Sequence, residues 1–287
     1  MGARVLGVII MLFALIVLLF VAQTQIAPLA KQEFLVSPAG GMRNTSAPAT
    51  PPPTGNGSST AFDPQPPQGF TKKDLSPYFG QVTIGNIAPG GFGDYTTIVL
   101  RATSHNDAIF SVTAWRMQGN RGSAFIPRAV PVYDPSGFAQ ESDITLTSGQ
   151  TLTLYSTASA LGKNVRLNKC MGYLENSVSF NPRLSLSCPY EPASNYASFS
   201  GICQDYIRSL RSCAPPADSP PVPIFDDACR AYLKTLNYRG CYDRHIHDKD
   251  FLSTQWVVWL GSKFLDERHD RVFLYDAQNL LVDEYTY

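Results

Sequence analysis

The chain has 287 residues, enough for one or two domains with a sizeable core, and 44% of its residues are apolar. Its 23 Lys and Arg balance its 23 Asp and Glu, so the formal net charge is zero. A neutral chain lacks the excess of cations that meets phosphates, and no nucleic-acid partner is expected. The many Val, Ile, Thr, Tyr and Phe residues predict a mainly β fold.

Residues 1–30 are predicted to form a transmembrane anchor. Val5 to Ala22 is an uncharged, almost wholly apolar run, and as a helix it would span ~27 Å at ~1.5 Å per residue. An arginine and the α-amino group precede the run, and the first charge after it is Lys31. This positive flank predicts a cytoplasmic amino terminus, an extracytoplasmic remainder and contact with membrane lipid. A cleaved signal peptide is the alternative, although Phe20 occupies a position where such sites need a small residue.

Residues 31–77 are predicted to be a disordered tether. Pro51 to Pro53 are followed by a Gly, Asn and Ser stretch, and three more prolines lie between 64 and 67. Such a segment has too little apolar surface to offset its ordering entropy, and its prolines favour a partly polyproline spacer. A proline-motif ligand for a partner is the alternative interpretation.

Strand-like runs separated by turn signals fill residues 78–287. The runs are Gln81–Ile84, Tyr95–Ala102, Ile109–Trp115, Phe125–Pro127, Ile144–Leu146, Thr151–Tyr155, Gln255–Leu260, Arg271–Tyr275 and Leu280–Tyr287. Asp276–Asn279 is a predicted turn, because Asn tolerates the left-handed region. Many short strands predict a sandwich or a barrel. Gly90-Gly91-x-Gly93 is not followed by Lys-Ser/Thr, so no phosphate loop is predicted.

Several motifs in this region resemble the lamin-tail domain. They are Ala114-Trp115, Phe125-Ile126-Pro127, Leu146-x-x-Gly149-Gln150-x-Leu152-x-Leu154, and His269-Asp270-x-Val272-x-Leu274-x-Asp276-x-x-Asn279-Leu280-Leu281-Val282-Asp283. Asn168-Lys169-Cys170-x-Gly172-Tyr173-Leu174, with Cys188-Pro189 downstream, is similar to bacterial exported members in particular.

The resemblance covers about residues 78–190 and 246–287. It implies an immunoglobulin-like β-sandwich and a non-enzymatic binding or structural adaptor, with no cofactor. The chain departs from the family pattern in two places. Asn279 stands where the family usually has Gly, and residues 191–245 interrupt the sandwich.

The interrupting segment is predicted to be an α-helical hairpin held by disulfides. Ser200–Arg211 has apolar residues on one face, and a second helix begins at Asp226 or Asp227 and ends near Gly240. All six cysteines lie beyond the anchor, where an even count predicts disulfides, although fifteen pairings exist. An antiparallel hairpin predicts the pairs Cys170–Cys188, Cys203–Cys241 and Cys213–Cys229. Zinc is the less favoured alternative, because no C-x-x-C occurs.

His245-Ile246-His247-Asp248 is the most suggestive chemical cluster, because H-x-H can supply two metal ligands and His269-Asp270 could add others. Two histidines in a polar loop are more often solvated, and no metal site or catalytic residue is assigned. Asp226-Asp227 is better explained as a helix cap with a first-turn charge, and Asp266-Glu267 as part of a loop.

Two further groups have binding and structural interpretations. Lys163, Arg166 and Lys169 could contact phosphates, but ordinary solvated strand charges are the preferred interpretation. Trp115, Trp256 and Trp259 could line a carbohydrate site. Period-two alternation places Trp256 and Trp259 on opposite faces of a strand, so at least one of them is expected in the core.

The sequence therefore predicts a membrane-anchored, extracytoplasmic adaptor whose partner is a protein or a polymer of the cell envelope. Two alternatives stay open. One is a cell-envelope metal-dependent hydrolase that uses the His245/His247 region. The other is a secreted carbohydrate-binding protein without an anchor.

Overall fold

The computed structural model describes residues 65–90, 95–103, 108–138, 140–184 and 186–287. Contacts divide the chain into two units, Met1–Ser59 and Thr60–Tyr287, and all described residues belong to the second. The predicted anchor, most of the predicted tether and Gly91-x-Gly93 lie outside the described residues. Within the described ranges, no helix has the length and apolar character needed to cross a membrane.

Strands dominate the described residues, which form eleven β-strands and three α-helices. The strands are β1 (Val82–Ala88), β2 (Thr97–Ala102), β3 (Phe110–Ser111), β4 (Arg116–Gly119), β5 (Gly122–Phe125), β6 (Thr145–Leu146), β7 (Thr151–Tyr155), β8 (Val165–Asn168), β9 (Leu252–Trp259), β10 (Arg271–Tyr275) and β11 (Leu281–Thr286). The helices are α1 (Gly201–Ser209), α2 (Asp227–Leu233) and α3 (Tyr238–His245). The prediction of a mainly β fold is confirmed.

The strands form two main sheets and one short pair. The five-stranded sheet has the order β1-β2-β7-β9-β8, and only its β7–β9 pair is parallel. The four-stranded sheet has the order β11-β10-β4-β5 and is antiparallel throughout. Strands β3 and β6 form the separate antiparallel pair. Since β8 and all three helices lie between β7 and β9 in the chain, their parallel pairing needs this long connection.

The two main sheets contribute to one hydrophobic core. Its residues include Ile98, Leu100, Leu152, Leu154 and Trp256 from the five-stranded sheet and Met117, Val272 and Leu274 from the four-stranded sheet. Alternate residues of each strand point to the same face, so the same strands leave a second row of side chains outside this core. Burial of these apolar side chains is the main force that holds the sheets together.

Strand β9 separates the first core from a second one. Trp256 and Val258 belong to the first core, whereas Val257 and Trp259 belong to the second, which also contains β8 and residues of α3. In the second core Phe180 stacks on Trp259, with ring centroids 5.7 Å apart. The strand is buried on both faces because helical segments cover the face that the four-stranded sheet leaves free.

Residues 65–77 correct the predicted extent of the tether. Lys72–Asp74 form a 3-10 helix, Leu75 bridges Leu281, and Ser76 is buried. The backbone amide of Ser76 also donates to the Leu281 carbonyl at 2.8 Å. Hydrogen bonding and burial of this segment against β11 offset its ordering entropy, so the fold begins before residue 78.

Several strand boundaries follow the sequence, and others do not. Thr151–Tyr155 and Arg271–Tyr275 are confirmed, and Asn279 has φ +64° in the predicted turn. The predicted run Ile109–Trp115 is mostly wrong, since only Phe110–Ser111 is a strand. Ala114 has φ +64°, a left-handed conformation that breaks the extended chain. Strand β4 was not predicted, whereas β8 lies where strand charges were expected around Arg166.

The inserted segment contains three helices rather than the predicted two. Ser200 caps α1 and Asp226 caps α2, as expected from their side-chain oxygens. Helix α2 ends at Leu233, and a new helix begins after Asn237, which accepts from the backbone amide of Gly240. Gly240 therefore lies in the first turn of α3 and does not end α2.

All six cysteines are paired, but the predicted pairs Cys170–Cys188, Cys203–Cys241 and Cys213–Cys229 are wrong. The structure has Cys170–Cys241, Cys188–Cys213 and Cys203–Cys229. The first turns of α1 and α2 lie together, because the Ser200 hydroxyl donates to Asp226 at 2.6 Å, and this joins Cys203 to Cys229. The unpredicted α3 carries Cys241 into the second core beside Cys170.

Asp283 gives a pH-dependent prediction. Burial raises the pKa of its carboxyl, although the backbone N–H of Ile84 donates to it at 2.6 Å and acts in the opposite direction. The folded state therefore binds this proton more tightly than the unfolded state, so stability decreases as pH rises from the ordinary carboxyl value through the folded pKa.

We expect Asp283→Asn to raise the urea midpoint at pH 7 and to change it little at pH 3, since its amide oxygen can still accept from Ile84. Asp143→Asn, at an exposed ion pair with Arg128, is the matched control. An equal effect of Asp283→Asn at both pH values would contradict a titration origin.

Candidate functional site

The outer face of the four-stranded sheet carries a row of rings and guanidinium groups. Pairing aligns Phe125 on β5, Arg116 on β4 and Tyr275 on β10 in one row across three strands. These residues alternate with buried neighbours, which turns all three toward the outside of the sheet. A rigid sheet thus presents large side chains that the core does not use.

Arg116 lies at the centre of this row. Its guanidinium stacks over the Tyr275 ring, 4.3 Å from the centroid, and it donates to the side-chain oxygens of Gln118 and Asn279. These neutral acceptors fix its orientation, while no carboxylate among the described residues forms an ion pair with it. The Arg116 charge is therefore held in place and left available to a ligand.

Tyr275 and Phe125 flank this cation. Burial raises the pKa of the Tyr275 hydroxyl, partly offset by Arg116 and Arg271, so the phenol stays neutral at ordinary pH. The Phe125 ring is 62% exposed, because β5 forms an edge of its sheet. An exposed aromatic ring beside an arginine is typical of a protein contact surface. Arg116 is already held in place and the Phe125 ring has few rotatable bonds, so each loses little side-chain entropy when a partner binds.

The neighbouring half of the face is already occupied. Phe70 packs on Phe273 with ring centroids 5.5 Å apart, and Arg271 lies over Phe273 at 4.9 Å. Arg271 also pairs with Glu284 at 2.7 Å, and this carboxylate raises the pKa of the guanidinium. Glu284 neutralises the charge of Arg271, so Arg116 is the cation of this face that stays accessible.

Two shallow cavities lie on either side of Arg116. One, of about 340 Å³, is bordered by Phe70, Asp74 and Tyr275. The other, of about 430 Å³, runs along Gln118 and Ser123. Both are open, so the face offers an extended contact surface with Arg116 at its middle and is not an enclosed pocket of the kind that surrounds a small substrate.

His245 and His247, to which the sequence assigned no metal, do not belong to a group of three or more potential metal ligands among the described residues. His245 ends α3, and its Nδ1 lies 2.8 Å from an Asp248 oxygen that also accepts from Lys169 at 3.0 Å. His247 is exposed. The one group of potential ligands found in the described residues is Cys203, Asp226 and Cys229, whose two sulfurs form a disulfide.

The side chains of Lys163, Arg166 and Lys169 all bond to other groups of the protein. Lys163 pairs with Glu141 at 3.1 Å, and Lys169 pairs with Asp250 at 2.6 Å. Arg166 donates to the Ser253 carbonyl at 2.8 Å, and burial lowers the pKa of its guanidinium. The interpretation of ordinary strand charges fits these contacts better than a phosphate site.

The three tryptophans are core residues. Trp115 and Trp256 lie in the first core and Trp259 in the second, each no more than 5% exposed. The prediction that alternation separates Trp256 from Trp259 is confirmed. Because Trp256 and Trp259 are buried, neither ring is available at the surface to line a carbohydrate site.

The two candidate acidic pairs have structural roles. Asp226 accepts from the Cys229 amide at the start of α2, as predicted, and Asp227 lies in the first turn of that helix. Asp266 pairs with Arg121 at 3.2 Å.

The Arg116 row was not predicted from the sequence. The signal that could have revealed it is the alternation Arg271-x-Phe273-x-Tyr275, in which every outward residue is a large ring or a cation. A solvated outer face usually carries small polar or mixed charged residues. Only the strand order, however, brings Arg116 and Phe125 beside Tyr275.

Comparison with known proteins found no counterpart. No family model, no curated protein and no solved structure matches the chain.

Proposed function

We propose that this protein is a non-enzymatic adaptor of the cell envelope, anchored by its amino-terminal helix, that binds a protein or an envelope polymer through the outer face of its four-stranded sheet. The observation that carries the proposal is the Arg116 row, in which an uncompensated cation lies between the Tyr275 ring and the exposed Phe125 ring.

The form of this face supports an extended partner. The row crosses three strands, and strands in a sheet lie ~4.8 Å apart, so the three side chains span on the order of 10 Å. Its shallow cavities fit a chain that lies across the sheet better than a small molecule that must be enclosed. A partner with acidic or hydroxyl groups would meet Arg116 and the amide of Gln118.

Three disulfides support a location outside the cytoplasm, because such bonds persist in oxidising compartments. We place the amino terminus in the cytoplasm and the described domain on the other side of the membrane. We further propose that the two sheets with their shared core form an immunoglobulin-like sandwich of the lamin-tail type, interrupted by the helical segment.

Photocrosslinking on intact cells tests the proposal. A photoreactive residue replaces Phe125 in one full-length variant and Phe138 in another; Phe138 is 91% exposed and does not belong to the row. We expect a crosslinked partner at position 125 and no matching product at position 138. Adding Arg116→Gln to the first variant should reduce its yield ~10-fold, the effect of losing one central arginine contact.

Crosslinks of equal yield and identity at both positions would reject the face as the binding site. Fractionation of the same cells tests the anchor, since release of the full-length chain by salt alone would contradict an integral membrane segment.

A further inference from the structure

A third, more enclosed cavity lies away from the Arg116 row, between the helical segment and residues that precede it. Its volume is about 270 Å³, near the lower limit of small-molecule sites at ~300 Å³. Its lining includes Tyr173, Tyr196, Glu191, Arg208, Arg211 and the Cys188–Cys213 disulfide. A cavity of this size accommodates one ring and its substituents rather than a stretch of polymer.

The wall of this cavity is rigid on one side. The Cys188–Cys213 disulfide packs so closely on Gly172 that a Cβ added there would lie 2.3 Å from the Cys213 sulfur. Cys213 also has φ +64°, and its carbonyl accepts from Asn176 at 2.5 Å. The disulfide therefore fixes the loop that follows α1, and with it the backbone that carries Arg211.

The charges around the cavity leave one cation without a counterion. Glu191 accepts from Arg244 at 2.6 Å and from the Tyr232 hydroxyl at 2.7 Å, so its charge is offset. Arg208 pairs with Asp205 at 3.0 Å. The Arg211 side chain is exposed and has no ion pair or hydrogen bond with any described residue. The cavity as a whole therefore favours an anion.

Tyr196 is one of the residues that line this cavity. Its side chain is only 2% exposed, yet its hydroxyl has no hydrogen-bond partner among the described residues. Among the described residues, the fully enclosed and unbonded side-chain atoms are Arg244 Nε and the indole nitrogens of Trp256 and Trp259. The Tyr196 oxygen is therefore not fully enclosed. A nearly buried phenol without a partner is costly unless a ligand or water bonds to it.

We propose that this cavity binds a small, ring-bearing carboxylate. Arg211 receives the carboxylate, because the planar guanidinium matches its two oxygens. The Tyr196 hydroxyl donates to an oxygen of the ligand, and the half-buried Tyr173 ring contacts the ring of the ligand. A sugar acid and an aromatic acid share this chemistry, and a comparison of glucuronate with phenylacetate separates the two. This proposal is independent of the Arg116 row.

Calorimetric titration of the full-length protein in detergent tests it. The probes are glucuronate, its uncharged methyl ester, glucose and phenylacetate. We expect at least one of the two acids to bind and both neutral sugars to fail. Arg211→Gln should weaken binding ~10-fold or more, and Tyr196→Phe, which keeps the ring, should weaken it ~3–10-fold. Arg183→Gln removes an exposed arginine outside the cavity and should change nothing.

The acid that binds identifies the class of ring. Glucuronate alone indicates a sugar acid, phenylacetate alone an aromatic acid, and binding of both a site that selects the carboxylate. The proposal is overturned if neither acid binds, if the methyl ester binds as tightly as glucuronate, or if Arg211→Gln behaves like Arg183→Gln. Urea unfolding of each variant shows whether a lost signal reflects lost folding.

Discussion

Replacing both Cys170 and Cys241 by alanine should lower the free energy of unfolding by about 4 kcal/mol. This disulfide closes a loop with a sequence separation of 71 residues, and restricting so long a loop lowers the entropy of the unfolded chain by that order. It also joins the end of β8 to α3 inside the second core. Its loss should loosen the whole helical segment. Urea unfolding of the full-length chain, followed by tryptophan fluorescence, measures the change.

The matched control removes Cys188 and Cys213 in the same way. Their bond closes a loop with a separation of only 25 residues and is partly exposed, so the expected loss is about 3 kcal/mol. Trp259 reports on the second core and should sense the Cys170–Cys241 change more strongly. A larger loss of unfolding free energy from the Cys188–Cys213 variant would contradict this prediction. It would show that the connection between β7 and β9 does not depend mainly on the disulfide between β8 and α3.

Asp276→Ala should destabilise the protein by about 3 kcal/mol, because one buried carboxylate serves three donors. Asp276 is 2% exposed and accepts from the Ser76 hydroxyl at 2.6 Å and from the backbone amides of Gln278 and Leu280, each at 2.9 Å. The Asp276 carboxylate thus holds the turn between β10 and β11, and it attaches the segment containing Ser76 to that turn. Truncation would leave the buried Ser76 hydroxyl and two partly buried backbone amides without this partner.

Asp276→Asn provides the graded comparison, since it keeps the shape and one acceptor oxygen but removes the charge. We expect about half the loss seen with alanine, measured by urea unfolding at pH 7. Asp143→Ala, which breaks an exposed ion pair with Arg128, should cost no more than about 1 kcal/mol. Equal effects of Asp276→Ala and Asp143→Ala would show that the turn does not depend on the buried carboxylate.

Local features of the fold could be predicted from the sequence, and long-range ones could not. Thr151–Tyr155 and the Asn279 turn depend on residues a few positions apart, and both were predicted correctly. Ile109–Trp115 has the composition of a strand, but Ala114 adopts the left-handed region because the chain must turn there to pair Ile126 with Trp115. Tertiary packing overrode local propensity at that point.

The candidate site shows the same division. The alternation Arg271-x-Phe273-x-Tyr275 is visible in the sequence, but nothing in the sequence indicates which strands lie side by side. The histidine cluster looked more chemical in the sequence than it is in the fold. Lys169 reaches the Asp248 carboxylate that contacts His245 only after β8 and α3 come together. The Arg116 row became visible only through the order β10-β4-β5.

The sequence by itself determined that the domain is rich in β-strands, that the cysteines pair, and that Trp256 and Trp259 face opposite ways. Each of these follows from composition, count or period, which need no knowledge of distant contacts. Only the tertiary structure decided which cysteines are partners, where the fold begins, and which cations remain uncompensated. These depend on residues far apart in the chain, because the free energy that brings them together is that of the packed cores as a whole.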